Sequence, residues 1–132
     1  MGNLTNNFSS EEVACSHCGI ERMNLRTVNM FQRIRDYLQR AVYVYSGCRC
    51  VFWNKQVGGV EYSSHVFTEE KESCAGDLSL VPESEKRPMT NEELFMLQRA
   101  AQEAGFNRLG IHRRFLHVDD DPEKPKNRMW LY

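Results

Sequence analysis

The sequence predicts an α+β fold, a small antiparallel β-sheet flanked by helices, on two observations. Two long stretches repeat apolar residues at intervals of three and four. Several short β-branched or aromatic stretches lie between turn residues, without strict β-α-β alternation. Residues 1–24 are polar and irregular, although Ser9, Ser10 and the acids after them could open a short helix. Between residues 24 and 41, Leu25, Val28, Phe31, Ile34, Tyr37 and Leu38 share one helical face, and Gln32, Arg33, Arg35, Asp36 and Gln39 occupy the other. Residues 41–45 form a strand that enters the Ser46-Gly47 turn. A Gly-bearing loop containing Val57-Gly58-Gly59-Val60 follows, and residues 67–73 read as solvated loop. Residues 75–81 make a second strand and residues 82–88 a charged linker. Thr90 and Glu93 form a capping box opening a helix that turns Leu94, Leu97, Ala101 and Ala104 inward, with Gly105 where the C-cap belongs. Three short strands, at 109–111, 115–118 and 129–132, close the chain.

At 132 residues, 41% hydrophobic and 27% charged, the chain is expected to be one compact domain over residues 1–132. Seventeen Lys and Arg against eighteen Asp and Glu leave a formal charge of −1. That balance argues against a nucleic-acid partner held by bulk electrostatics, which needs a basic excess. No apolar run approaches the ~20 residues of a membrane span. The first residues lack the basic start and apolar stretch of a secretory signal, so synthesis in the cytoplasm is expected. No heptad seam is present, and a monomer is the expectation.

Five cysteines make an odd number, and a disulfide framework is not the default reading. Four fall in the pairs Cys15-x-x-Cys18 and Cys48-x-Cys50, while Cys74 stands alone. Two such pairs can close a structural zinc site, although the single residue between Cys48 and Cys50 is an imperfect match. Reduced, partly buried thiols are the alternative. A redox role for Cys15-x-x-Cys18 lacks the preceding strand such motifs use. Among the histidines, His65 and His117 are each followed by an aspartate, Asp77 and Asp119, that could share a site. Catalytic zinc takes three nitrogen and oxygen ligands and keeps one position open for water. Two imidazoles and a carboxylate meet that need; satisfied histidines and a solvated acidic run at 119–121 are the competing reading.

The order of the motifs adds to this. Ser46-Gly47-Cys48-Arg49, Asn54, Val57-Gly58-Gly59, Ser63-Ser64-His65, Ala75-Gly76-Asp77, then Gly110-Ile111, Phe115-Leu116-His117-Val118-Asp119 and Trp130 run co-linearly. This series resembles peptidase family M15, the zinc D-alanyl-D-alanine carboxypeptidases, in their small bacterial and phage-type branch. The resemblance covers about residues 8–132. It implies the fold that these peptidases share with Hedgehog signalling domains.

It also implies one Zn2+ ion on His65, Asp77 and His117, and a substrate carboxylate bound by Arg49, whose planar fork takes a carboxylate bidentately where lysine cannot. Ser63 or Ser64 would flank the metal, with Ser64 as the substrate-side candidate. Asp119 would hold a ligand or a substrate-facing loop. The spacing from His65 to Asp77 is twelve where the compact family pattern has seven, which the resemblance assigns to extra residues in a surface loop near 67–72. Cys48 replaces the family's tyrosine and Ser73 its loop glycine. Arg114 stands where better-known relatives carry an acidic base, so His112 is the nearest group able to shuttle a proton, and Arg114 itself could stabilise an oxyanion or face solvent. The implied function is zinc-dependent hydrolysis of D-amino-acid-containing peptidoglycan stem peptides, as carboxypeptidase or endopeptidase, in phage or prophage lysis or in the cell wall or periplasm of a host. A non-catalytic zinc-binding module and a phage structural protein of the same fold are the alternatives.

Overall fold

The computed structural model describes residues 2–132. In chain order the elements are α1 (Ser10–Val13), α2 (Leu25–Leu38), β1 (Tyr43–Ser46), α3 (Val51–Gln56), β2 (Ala75–Ser79), α4 (Asn91–Glu103), β3 (Arg108–Ile111), β4 (Leu116–Asp119) and β5 (Arg128–Leu131). The α+β class follows as expected. The stretch expected to be loop between β1 and Gly58 instead contains α3, and the charged linker holds a 3-10 turn at Glu83–Glu85.

The strands form one sheet in the order β1-β2-β4-β3-β5. The first four are antiparallel to their neighbours, but β5 pairs with β3 in parallel, which corrects the wholly antiparallel expectation. The cause lies in residues 120–127. They are too many for a tight hairpin, and they carry the chain past the Arg108 end of the sheet, where Arg108 Nη1 donates to the Pro125 carbonyl at 2.6 Å.

Strand alternation then divides the sheet into two faces. Leu78, Leu109, Leu116 and Val118 turn toward one side and are buried with Phe31 and Ile34 of α2 and Leu97, Ala100 and Ala101 of α4. The apolar periodicity of both helices is thus used against one sheet face. Residues 2–24, read as irregular, contribute Phe8 and Val13 to the same core, with the Phe8 ring centroid 5.9 Å from that of Phe31. The acidic run at 119–121 is not solvated as a whole: Asp119 and Asp121 are buried, and Asp120 accepts from the Thr27 hydroxyl at 2.6 Å near the start of α2.

The capping box of α4 forms, with the Thr90 hydroxyl accepting from Glu93 N–H at 3.1 Å and Glu93 accepting from Thr90 N–H at 2.9 Å. Arg87 adds an ion pair at 2.8 Å. Arg87 and the Thr90 N–H pull the Glu93 carboxyl from 4.5 down to about 2. A carboxyl depressed on folding stabilises the fold above its unfolded value and loses that contribution as pH falls through its folded one. The stability gap between wild type and Glu93→Gln, measured by urea denaturation, should therefore be constant above pH 4.5 and close toward pH 2. A gap that does not change over that interval contradicts the assignment.

Candidate metal centre

Register builds the floor of the site. On the sheet face away from α2 and α4, Ser46, Asp77, His117, Gly110 and Trp130 are successive cross-strand partners, one from each strand. Partners directly opposite one another project to the same side. Gly110 is required in that row, because a Cβ there would lie 2.5 Å from Trp130 Nε1. His65 reaches the row from the loop before β2, and its own loop is held by Arg49 N–H donating to the His65 carbonyl at 2.9 Å.

The three side chains expected to share a site meet there. Asp77 Oδ1 lies 3.1 Å from His65 Nε2 and 3.1 Å from His117 Nδ1, and the two ring nitrogens are 3.2 Å apart. They are 2%, 5% and 6% exposed for His65, Asp77 and His117, so water cannot satisfy them all. The outer nitrogens fix the tautomers. His65 Nδ1–H donates to the Gly47 carbonyl at 2.8 Å, and His117 Nε2–H donates to Asp119 Oδ2 at 2.7 Å. A carbonyl or carboxylate can only accept, so the inward nitrogens of the neutral rings carry lone pairs.

Three electron-pair donors therefore converge at buried positions, a group that could hold a divalent cation. Zinc bonds of 2.0–2.2 Å in tetrahedral array give ligand–ligand edges of about 3.3–3.5 Å, close to the observed separations. The two-imidazole, one-carboxylate donor set and its outer hydrogen bonds fit that ion.

The charges agree with this clustering. Burial would raise the Asp77 carboxyl, but His65 and His117 outweigh it and hold it well below the usual carboxylate range. Burial pushes His65 down, and Asp77 only partly offsets this. His117 is raised in spite of burial, because Asp119 and Asp77 both bond it. Asp119 is lowered despite burial by His117 and by Arg108, whose Nε donates to it at 2.8 Å.

The row opens into a cleft of about 410 Å³, walled by Arg49, Gly59, Phe115, Trp130 and Tyr132 among others. Arg49 donates from Nε to Ser46 Oγ at 3.0 Å, from Nη1 to Asn54 Oδ1 at 3.3 Å and from Nη2 to Asp77 Oδ2 at 3.3 Å. Asn54 comes from α3 and also donates to the Val60 carbonyl at 3.0 Å, across Gly59, where a Cβ would sit 2.0 Å from Asn54 Oδ1. The Val57-Gly58-Gly59 motif thus lets a loop close over the side chain that steadies Arg49.

Ser64 lines the cleft, but its hydroxyl donates to Asp121 at 2.8 Å, and Ser63 Oγ accepts from His65 N–H at 3.2 Å. The extra residues between His65 and Asp77 leave Glu69, Glu70 and Glu72 exposed while Phe67 is buried. His112 is not brought to the metal group. It sits after β3, accepts from Arg114 N–H at Nδ1 (3.0 Å), stacks on Phe115 with centroids 4.5 Å apart, and meets Tyr132 edge-on. The cleft wall at this point is Phe115 and Tyr132, and Arg114 is exposed.

Arg108, the Gly47 carbonyl and Tyr132 were not foreseen. Arg108 follows only from the β3–β4 register that sets it opposite Asp119. Because Asp119 orients the His117 ring, Asp119→Asn should weaken zinc affinity about 10–100-fold with the fold intact, as read by competition with a chromogenic chelator. Unchanged affinity would show that Asp119 only serves Arg108.

The Peptidase M15 family model matches residues 3–119 of the chain. Among curated proteins no sequence matches it.

Proposed function

The chain belongs to the Peptidase M15 family, a zinc-dependent family, and from that premise we propose that it hydrolyses D-amino-acid-containing peptide bonds in peptidoglycan stem peptides, as a D,D-carboxypeptidase or a cross-link endopeptidase. One observation carries the reading: His65 Nε2, Asp77 Oδ1 and His117 Nδ1 converge, buried, on the floor of a cleft that Arg49 also lines. These three side chains are the ligands. Zinc bound there supplies Lewis acidity, polarising a carbonyl and lowering the pKa of a water toward ~7.

The chain's own groups do the positioning. The Gly47 carbonyl and Asp119 keep the histidine lone pairs turned inward. Arg49 has five N–H groups, and three are committed to Ser46, Asn54 and Asp77. The remaining two, one on each terminal nitrogen, take the substrate carboxylate as a fork. Ser64, bonded to Asp121, shapes the cleft wall beside His65. Trp130, Phe115 and Tyr132 supply an apolar wall that excludes water from the reacting bond.

For His112 the reading follows from its contacts. Its Nδ1 accepts from Arg114 N–H, so the neutral ring carries its proton at Nε2 and donates rather than accepts. In this reading the ring, stacked on Phe115 and edge-on to Tyr132, braces the cleft wall and touches no reacting atom, instead of serving as the proton shuttle expected from sequence. His112→Ala should then keep its zinc and fall well short of the ~10²-fold loss in kcat that removing a proton-transferring group causes. A loss of that size, with zinc retained, would place His112 at the reacting atoms.

The substrate sets the site of action in the bacterial cell wall, in wall turnover or in phage-type lysis. A second reading, a zinc-binding module without peptidase activity, draws support from the cleft itself. Among the described residues its only lining carboxylates are Asp77 and Asp119, both already engaged. Incubation of the zinc-loaded chain with purified muropeptides, followed by mass spectrometry, separates the two. Release of D-alanine or conversion of dimers to monomers supports hydrolysis; unaltered muropeptides support the binding module.

A further inference from the structure

The five cysteines fall into two physical classes. Cys48 and Cys74 are buried, and burial pushes both thiols up to about 12. Cys15, Cys18 and Cys50 instead face one another, with their sulfurs all within 4.8 Å. None of the five is in a disulfide. Cys48, the expected partner of Cys50, is turned away, its sulfur accepting from Arg22 N–H at 3.2 Å.

The backbone around the trio is arranged for sulfur carrying negative charge. Cys15-Ser16-His17-Cys18-Gly19 is a closed turn: Gly19 N–H donates to the Cys15 carbonyl at 2.8 Å, and Cys15 N–H to the Ile20 carbonyl at 2.9 Å. Gly19 reverses the chain at φ +74°. Cys50 N–H donates to the Cys15 sulfur at 3.4 Å, and the Cys50 sulfur accepts from Trp53 N–H at 3.3 Å, capping α3. The His17 ring stacks parallel to Trp53, and its Nδ1 lies 3.9 Å from the Cys50 sulfur. In a tetrahedral zinc site with Zn–S of ~2.3 Å and Zn–N of ~2.0 Å, sulfur–sulfur and sulfur–nitrogen edges are about 3.8 and 3.5 Å.

We propose that Cys15, Cys18 and Cys50 form a second, structural zinc site that pins the N-terminal segment to the start of α3, with His17, whose Nδ1 lies beside the Cys50 sulfur, as the nearest fourth ligand after a turn of its ring. Binding releases the thiol protons to solvent and leaves three thiolates on the ion. The site shares no residue with the His65, Asp77 and His117 group, and the proposal stands whether or not the chain is a peptidase. It has a consequence for the cleft all the same. Cys50 follows Arg49 directly and caps the helix that carries Asn54, so the ion would stiffen the guanidinium's support.

The test measures zinc content and cobalt spectra of the full chain, purified reduced, as wild type, Cys18→Ser and His117→Ala. Each variant should hold one zinc fewer than wild type. Cobalt-loaded wild type and His117→Ala should show an intense sulfur-to-cobalt charge-transfer band, absent from Cys18→Ser. Chelation should lower the melting temperature of His117→Ala, which retains only the thiolate site. Equal zinc content in Cys18→Ser and wild type, or no charge-transfer band in His117→Ala, overturns the proposal. Should Cys18→Ser fail to fold, the His117→Ala spectrum decides alone, and muropeptide cleavage is tested separately.

Discussion

Replacing His117 with alanine is expected to remove one zinc ion per chain and to reduce muropeptide hydrolysis to the rate without enzyme. His117 supplies the one inward nitrogen held from the sheet itself, opposite Asp77 on β2 and Gly110 on β3. Its loss leaves Asp77 with His65 and Arg49 as its remaining side-chain partners. Three ligands and an open position are what a catalytic ion needs, and two ligands retain it poorly. The backbone pairing of β4 does not use the imidazole, so the circular dichroism spectrum should match wild type. Hydrolysis at the parental rate, with the fold intact, would mean that the metal or the chemistry lies elsewhere.

The second large effect concerns Arg49. Arg49→Ala should lower kcat/KM about 10²–10³-fold on substrates with a free terminal carboxylate, consistent with the ~2–5 kcal/mol cost of truncating one partner of a buried charge pair. Arg49→Lys should recover little of it, because an ammonium cannot present the fork. The control is the substrate. An amidated stem peptide has no carboxylate for Arg49 to hold, and wild type and Arg49→Ala should cleave it at similar, low rates. Equal losses on free and amidated substrates would show that Arg49 matters through Asp77 and Asn54 alone, since its Nη2 and Nη1 bond both.

The parts of this molecule that were legible in the sequence are those with a local cause. Helical periodicity identified α2 and α4, and Thr90 with Glu93 marked the start of α4 to the residue. His65, Asp77 and His117 stood out through the co-linear motif series, although forty residues separate Asp77 from His117. What was missed depends on contacts that no local pattern encodes. The six residues of α3 show no apolar period, and their N-cap is a cysteine sulfur rather than a hydroxyl or amide. The parallel placement of β5 depends on the path of residues 120–127, and Arg108 became a partner of Asp119 only through strand register. The acidic run at 119–121 is the sharpest case. Three adjacent carboxylates usually face water, yet here one bonds a histidine, one a threonine in the first turn of α2 and one a serine.

The pairing of Cys15 and Cys18 with Cys50 but not with Cys48 has the same origin. In an extended stretch, residues two apart point the same way, but Cys50 turns into a helix cap while Cys48 enters the core.

The claim on which the functional account rests is that His65, Asp77 and His117 hold one zinc ion together. Anomalous diffraction recorded above and below the zinc absorption edge, on crystals of the zinc-loaded chain, tests it directly. The account predicts a peak about 2.0–2.2 Å from His65 Nε2, Asp77 Oδ1 and His117 Nδ1 at once. Zinc-loaded crystals with no anomalous density between those three atoms would contradict it.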